Sequence, residues 1–180
     1  MADLKASHPT PHLPLVIGNT RLDSMDPGRV TSVAPFPGRD LAPALAPLGL
    51  AFPPPGGVLK SGAARIVWAG RDLAFLMRAD APPGLVEDAA ITDQSDAWVW
   101  VHLSGVDARA VLARLTPLDL RDHAMPVDGT ARSTINHMQA IVIRPAAEAY
   151  EIAVFRSMAG TLVHELQVAM TGVAARSALV

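Results

Sequence analysis

The chain has 180 residues, half of them hydrophobic and 18% charged, with a net charge of −2 and no cysteine. A near-neutral balance without a basic run speaks against nucleic acid as a partner, and the absence of cysteine excludes disulfides, thiolate metal sites and a cysteine nucleophile. No window approaches the roughly 18–20 apolar residues of a membrane helix, and the short apolar run at residues 13–17 is broken by Pro14, so no membrane partner and a cytoplasmic location are expected. The charged fraction is below the usual quarter, which leaves some apolar surface for a partner.

Residues 1–27 hold Pro9, Pro11, Pro14 and Pro27 among polar neighbours. Proline at that density predicts an extended or disordered N-terminal arm. Residues 29–36 (RVTSVAPF) read as a strand, turned by Pro37 and Gly38. Leu41, Leu45 and Leu48 then fall at helical spacing, with Asp40 to cap the start, Pro43 tolerated in the first turn and Gly49 to stop the helix. The FPPPGG run at 52–57 is a loop, and the GGVLKSG run after it reads as a solvated loop. Residues 64–68 and 73–77 form a predicted hairpin, and 81–90 a linker with one helical turn.

Residues 98–103 (WVWVHL) are the strongest strand of the chain. Alternation puts Trp98 and Trp100 on one face and Val99, Val101 and Leu103 on the other. Ser104 and Gly105 end the strand. A helix follows, with Ala108, Val111, Leu112 and Leu115 on its apolar face, Arg109, Ala110 and Arg114 opposite, and Pro117 as its stop. After a loop with Pro126 and Gly129 come strands at 139–144 and 150–155. A final helix carries the stripe Leu162, Val163, Leu166, Ala169 and Met170, and residues 173–180 are read as a tail.

The two halves match each other. A gapless offset of 67 sets Val33 on Trp100, Phe36 on Leu103, Gly38 on Gly105, Leu45 on Leu112 and Leu48 on Leu115. The later hairpins align at offsets of 75 (Ile66 on Ile141) and 78 (Arg78 on Arg156), with the drift in loops. The expected fold is α+β: two related ferredoxin-like β-α-β-β-α half-domains whose antiparallel sheets pack together. Residues 28–90 form the first half with its linker and 91–172 the second. Neither half alone would bury a generous core.

Chemistry is sparse. Lys60 and Ser61 lack the glycine and the following helix of a phosphate loop. The six histidines show no helical ligand pair, and no nucleophile elbow is present. Asp93, Ser95 and Asp96 suit turn and cap roles, and Asp119, Arg121 and Asp122 suit local pairing. No catalytic, cofactor-binding or metal residue is assigned. The face carrying Trp98 and Trp100 needs a cover: the second sheet near Trp100, and a partner near Trp98. Trp98, Trp100 and Arg156 are the partner-interface candidates.

The segments TDQSDAW, SGVDARAVLARLTPLDL, PVDGTARSTINHMQAIV and YEIAVFRSMAGTLVHEL resemble the gamma subunit of heterotetrameric sarcosine oxidase. The resemblance rests on Asp93-Gln94-Ser95, Gly105, Leu112, Asp119-Leu120, Gly129, Thr134, His137 and Arg156-Ser157-Met158-Ala159, and covers roughly residues 93–170 well. It implies the folate-binding fold of the glycine-cleavage aminomethyltransferase and a non-catalytic place in a complex that demethylates sarcosine. The implied partners are alpha, beta and delta subunits. FAD, FMN, NAD, zinc and tetrahydrofolate are implied on those subunits and none on this chain. The alternative is a stand-alone folate-binding aminomethyltransferase-like protein.

Overall fold

The computed structural model describes residues 8–179. Its elements, in chain order, are β1 Leu15–Ile17, β2 Thr20–Met25, β3 Val30–Pro35, α1 Ala42–Leu45, β4 Val58–Ser61, β5 Ala64–Gly70, β6 Leu73–Met77, β7 Ala89–Asp93, β8 Trp98–Ser104, α2 Ala108–Leu112, β9 Gly129–Ile135, β10 Met138–Ala146, β11 Ala149–Phe155 and α3 Ala159–Ser177. They build two antiparallel sheets: six strands in the order β1-β2-β8-β11-β10-β9, and five in the order β4-β5-β6-β3-β7. The fold is α+β, as expected.

Three apolar layers hold the sheets. Val99, Val101, Leu103, Tyr150 and Ile152 of the six-stranded sheet meet Val111 and Leu112 of α2 and Leu162, Leu166 and Met170 of α3. Between the sheets lie Val67, Phe75 and Met77 from one side and Trp98, Trp100, Ile141 and Ile143 from the other. On the outer face of the five-stranded sheet, Val33, Ile66 and Leu76 pack on Leu41, Leu45 and Leu85. Each fully buried side chain of this size is worth roughly 1.5–3 kcal/mol, so the middle layer binds the halves into one body. At one corner the sheets are also stitched by backbone, with the Thr130 N–H donating to Gly56 O at 2.8 Å.

The repeat is visible in the topology. β9, β10, β11 and β8 lie side by side in the order of β4, β5, β6 and β3. Gly38 (φ 76°) and Gly105 (φ 115°) sit at matching turns in the left-handed region. Gly105 has no latitude: a Cβ there would stand 2.0 Å from the Asn19 carbonyl oxygen. The gapless offset needs one correction. It holds for turn and helix, but Val33 faces the outer helical layer while Trp100 faces the other sheet. The strands match at an offset of 68 instead, Val30 with Trp98 and Val33 with Val101, because a one-residue slip turns every side chain to the opposite face.

Other expectations are also revised. Residues 1–7 of the predicted arm lie outside the described region. The rest is no loose arm, because β1 and β2 form a hairpin and β2 pairs with β8 from Arg21↔Ser104 to Met25↔Trp100. The prolines flank these strands, and Leu22 is fully buried in the helix-side layer. The GGVLKSG loop contains β4, the end of the predicted linker is β7, and the loop after Pro126 continues as β9. Since β7 pairs with β3, the first sheet extends to Asp93 rather than ending near residue 90. α3 continues through Ser177, and Val173, one turn past Met170, stays on its buried face. Each half thus runs β-α-β-β-β, the second continuing into α3, and each sheet includes a neighbouring strand, β7 for one and β2 for the other.

Several readings stand unchanged. Gly49 (φ 65°) ends the 3-10 turn Ala46–Leu48 that prolongs α1, whereas the cap position of α1 falls to Leu41 rather than Asp40, which accepts the Ala42 N–H at 2.9 Å from one residue further out. The linker holds one 3-10 turn, Pro83–Glu87. No described helix is long and apolar enough to cross a membrane.

Candidate functional site

The three interface candidates come together at one end of β8. Trp98, Trp100 and Arg156 all line a groove of about 540 Å³, with Met25, Pro27 and His8 on its opposite wall. The groove forms because β2 leaves the sheet after Met25 while β8 continues back to Trp98. Met25, Pro27 and His8 escaped the sequence reading because they belong to the segment taken for an arm. The alternation Thr20–Leu22–Ser24 was the available signal, and a single aliphatic residue made it weak.

The two tryptophans are more alike than expected. Trp100 is 1% exposed, and its indole N–H has no hydrogen-bond partner among the described residues. Trp98 is 7% exposed, so the expectation of a ring left bare for a partner is corrected. Phe75 of the opposite sheet meets it edge-on with centroids 5.5 Å apart, and Phe155, its cross-strand neighbour, lies tilted at 4.5 Å. What remains open is the rim, where Phe155 and Met158 are each somewhat under half exposed.

Arg156 opens the 3-10 turn that leads into α3. Its N–H donates to Ala97 O at 2.9 Å, which fixes the residue at the end of β11. Its side chain is 45% exposed and its guanidinium reaches Asp96 only at 3.8 Å, and the Asp96 side chain is itself fully exposed. A cation held this loosely remains available to a second anion.

The polar motifs resolve into local structure. The Ser95 hydroxyl donates to Asp93 Oδ1 at 2.6 Å and accepts the Val30 N–H at 3.0 Å, locking the crossing from β7 to β8 onto β3. The Ser95 hydroxyl and the Ser95 N–H, which both donate to this carboxylate, hold Asp93 below its usual range, with Arg29 behind them. Lys60, on β4, pairs with Asp128 across the sheets. The Arg121 side chain and N–H hold Asp119 well below the ordinary carboxylate range. Among the described residues, no group of three or more histidines and carboxylates is placed to hold a metal.

A second polar cluster lies under the β10–β11 turn. Arg144, 2% exposed, donates to Met125 O at 2.7 Å and Ala147 O at 2.9 Å and pairs with Asp122 at 2.7 Å, while Arg109 reaches the same carboxylate. Arg144 first, and Arg109 second, depress the Asp122 carboxyl. A depressed carboxyl contributes stability that is complete above the ordinary value of 3.8 and is lost as pH falls through its own lower value. Asp122→Asn should therefore lower the urea midpoint at neutral pH and flatten its fall in acid. Parallel midpoint-against-pH curves for the two proteins would contradict this.

No family model matches the chain, and no curated protein matches it in sequence. Its fold is shared with the glycine cleavage system aminomethyltransferase T from Bartonella henselae, with a TM-score of 0.54 and 14% identity over 83% of this chain and 46% of that one. A fuller match is to a chain of the heterotetrameric sarcosine oxidase from Corynebacterium sp. U-96, solved in complex with pyrrole 2-carboxylate. There the TM-score is 0.79 and the identity 22%, over 94% of this chain and 96% of that chain. The fold is thus shared with a chain of a heterotetrameric sarcosine oxidase and with a glycine cleavage system aminomethyltransferase.

Proposed function

We propose that this chain is the gamma subunit of a heterotetrameric sarcosine oxidase. In this reading the complex oxidatively demethylates sarcosine to glycine and passes the one-carbon unit to tetrahydrofolate in the cytoplasm. The observation that carries the reading is the reciprocal coverage of 94% and 96% at a TM-score of 0.79 with a sarcosine oxidase chain. The match to the aminomethyltransferase covers 46% of that enzyme, which favours a subunit over a stand-alone transferase.

The role assigned is assembly. The chain docks on the large subunit beside its folate-handling domain, and FAD, FMN, NAD, zinc and tetrahydrofolate are held by the alpha, beta and delta subunits. The loosely paired Arg156 and the apolar rim at Phe155 and Met158 support a docking role. Purified alone, the chain should be colourless, should not oxidise sarcosine, and should give no heat with tetrahydrofolate in a titration. Stoichiometric flavin or saturable folate binding would overturn the assignment.

A further inference from the structure

The groove beside Trp98 is a gap in a ladder of backbone hydrogen bonds. β2 and β8 pair residue by residue down to Met25↔Trp100, and the same register would next set Asp26 against Val99 and Pro27 against Trp98. The opposite side of β8 fixes which way each residue points. Arg156 N–H donates to Ala97 O at 2.9 Å and Gly105 N–H to Glu148 O at 3.0 Å, so odd-numbered residues from 97 to 105 turn their backbone groups toward β11. Trp98, Trp100, His102 and Ser104 then turn theirs toward β2.

Trp98 is consequently the one residue of β8 whose N–H and C=O face β2 beyond the end of the pairing. Pro27, its position in register, has no N–H to offer. The neighbouring segment is also committed elsewhere, because Gly28 N–H donates to Asp26 Oδ1 at 2.8 Å and Asp26 O accepts from Arg78 at 2.9 Å. These bonds carry the chain away toward β3, so β2 cannot zip further. Among the described residues the Trp98 N–H and C=O have no backbone partner across this gap, and the groove beside them is lined by Met25, Trp100 and Arg156.

We infer that this groove receives a short extended segment of another subunit. The segment adds a piece of strand beside β8, sets an apolar side chain against the partly buried Met25, and places a carboxylate against Arg156. Strand addition fits because main-chain pairing supplies the affinity and one side-chain pocket the specificity. The carboxylate follows from a cation whose own partner stands 3.8 Å away in open solvent. Phe155 and Met158 on the rim give the same partner apolar surface to cover. The inference rests on the reading of this chain as a subunit of a larger enzyme.

The test follows the Trp98 amide by hydrogen exchange in the isolated full chain and in the assembled complex. It should exchange readily in the free chain and about tenfold or more slowly in the complex, while the Val101 amide, bonded to β11, changes little. Arg156→Glu should weaken assembly about tenfold or more and Arg156→Lys much less. Unchanged Trp98 exchange in a complex that forms normally overturns the inference and leaves the subunit reading intact. Failure of the unaltered chain to assemble overturns both. Protection already present in the free chain, and lost on removing residues 1–7 or on dilution, would give the groove to the chain's own terminus or to a second copy, and overturns it as well.

Discussion

Trp100→Ala should cost the isolated chain about 3–5 kcal/mol, the usual range for deleting a fully buried tryptophan. Trp100 is the largest fully buried side chain of the protein and stands in the layer where the two sheets meet. Its loss should therefore loosen the halves from one another rather than melt one of them. Trp98→Ala belongs to the same class at slightly smaller cost, about 3 kcal/mol, because Phe75 and Phe155 clasp the ring within the chain. Urea unfolding followed by two probes, one near α3 and one near α1, checks both points. A change below about 1 kcal/mol for Trp98→Ala would restore the ring to a partner-facing role.

The second large effect concerns the ion pair between the sheets. Arg65 of β5 reaches Glu151 of β11 at 2.7 Å, and the two side chains are 11% and 10% exposed. Two guanidinium nitrogens of Arg65 have no hydrogen-bond partner among the described residues. Removing one member of such a pair strands the other charge in a poorly solvated place, at about 3–5 kcal/mol. Replacing both by apolar residues of similar volume should be close to neutral, or stabilising by about 1–4 kcal/mol, since neither charge then has to be desolvated. Arg65→Ala beside the double replacement Arg65→Met with Glu151→Leu separates these cases. Equal losses in the two variants would show that the pair's attraction, rather than the stranded charge, sets the cost.

The strands that could be read from the amino acids are those enclosed on both sides. β3, β5, β6, β8, β10 and β11 all lie inside their sheets, and their runs of Val, Ile, Trp, Phe and Leu announce them. The four outermost strands, β1, β4, β7 and β9, were missed, and so was β2. An outer strand is covered on fewer sides and carries residues such as Lys60, Thr92, Arg132 and Ser133, which lower its apparent propensity. Half of the groove was hidden for another reason, since β2 lies inside its sheet but carries a single aliphatic residue, Leu22. The β8 wall of the groove was legible as Trp98, Trp100 and Arg156, but its other wall comes from a strand end that became recognisable only through pairing with β8. The register slip between the repeats has a related origin. Glycine turns and leucine spacing aligned the helices, whereas a strand whose two faces are both apolar gives no cue as to which face is which.

The inter-sheet layer also explains why the duplicated halves do not stand apart. Each sheet takes a strand from outside its own repeat, and the apolar face opposite the helices is closed by the other sheet. What the chain leaves for others is therefore a local feature, the Trp98 backbone with Arg156, Phe155 and Met158 around it, and not a whole sheet face.

Membership of a sarcosine oxidase complex can be read from co-expression. The tagged chain should be produced with the alpha, beta and delta subunits of such an oxidase, and the captured material sized by light scattering and assayed for sarcosine-dependent oxygen consumption. One stoichiometric assembly is expected, coloured by flavin and active, with this chain as a full member. Recovery of the tagged chain alone, beside an intact and active oxidase made of the other subunits, would contradict it.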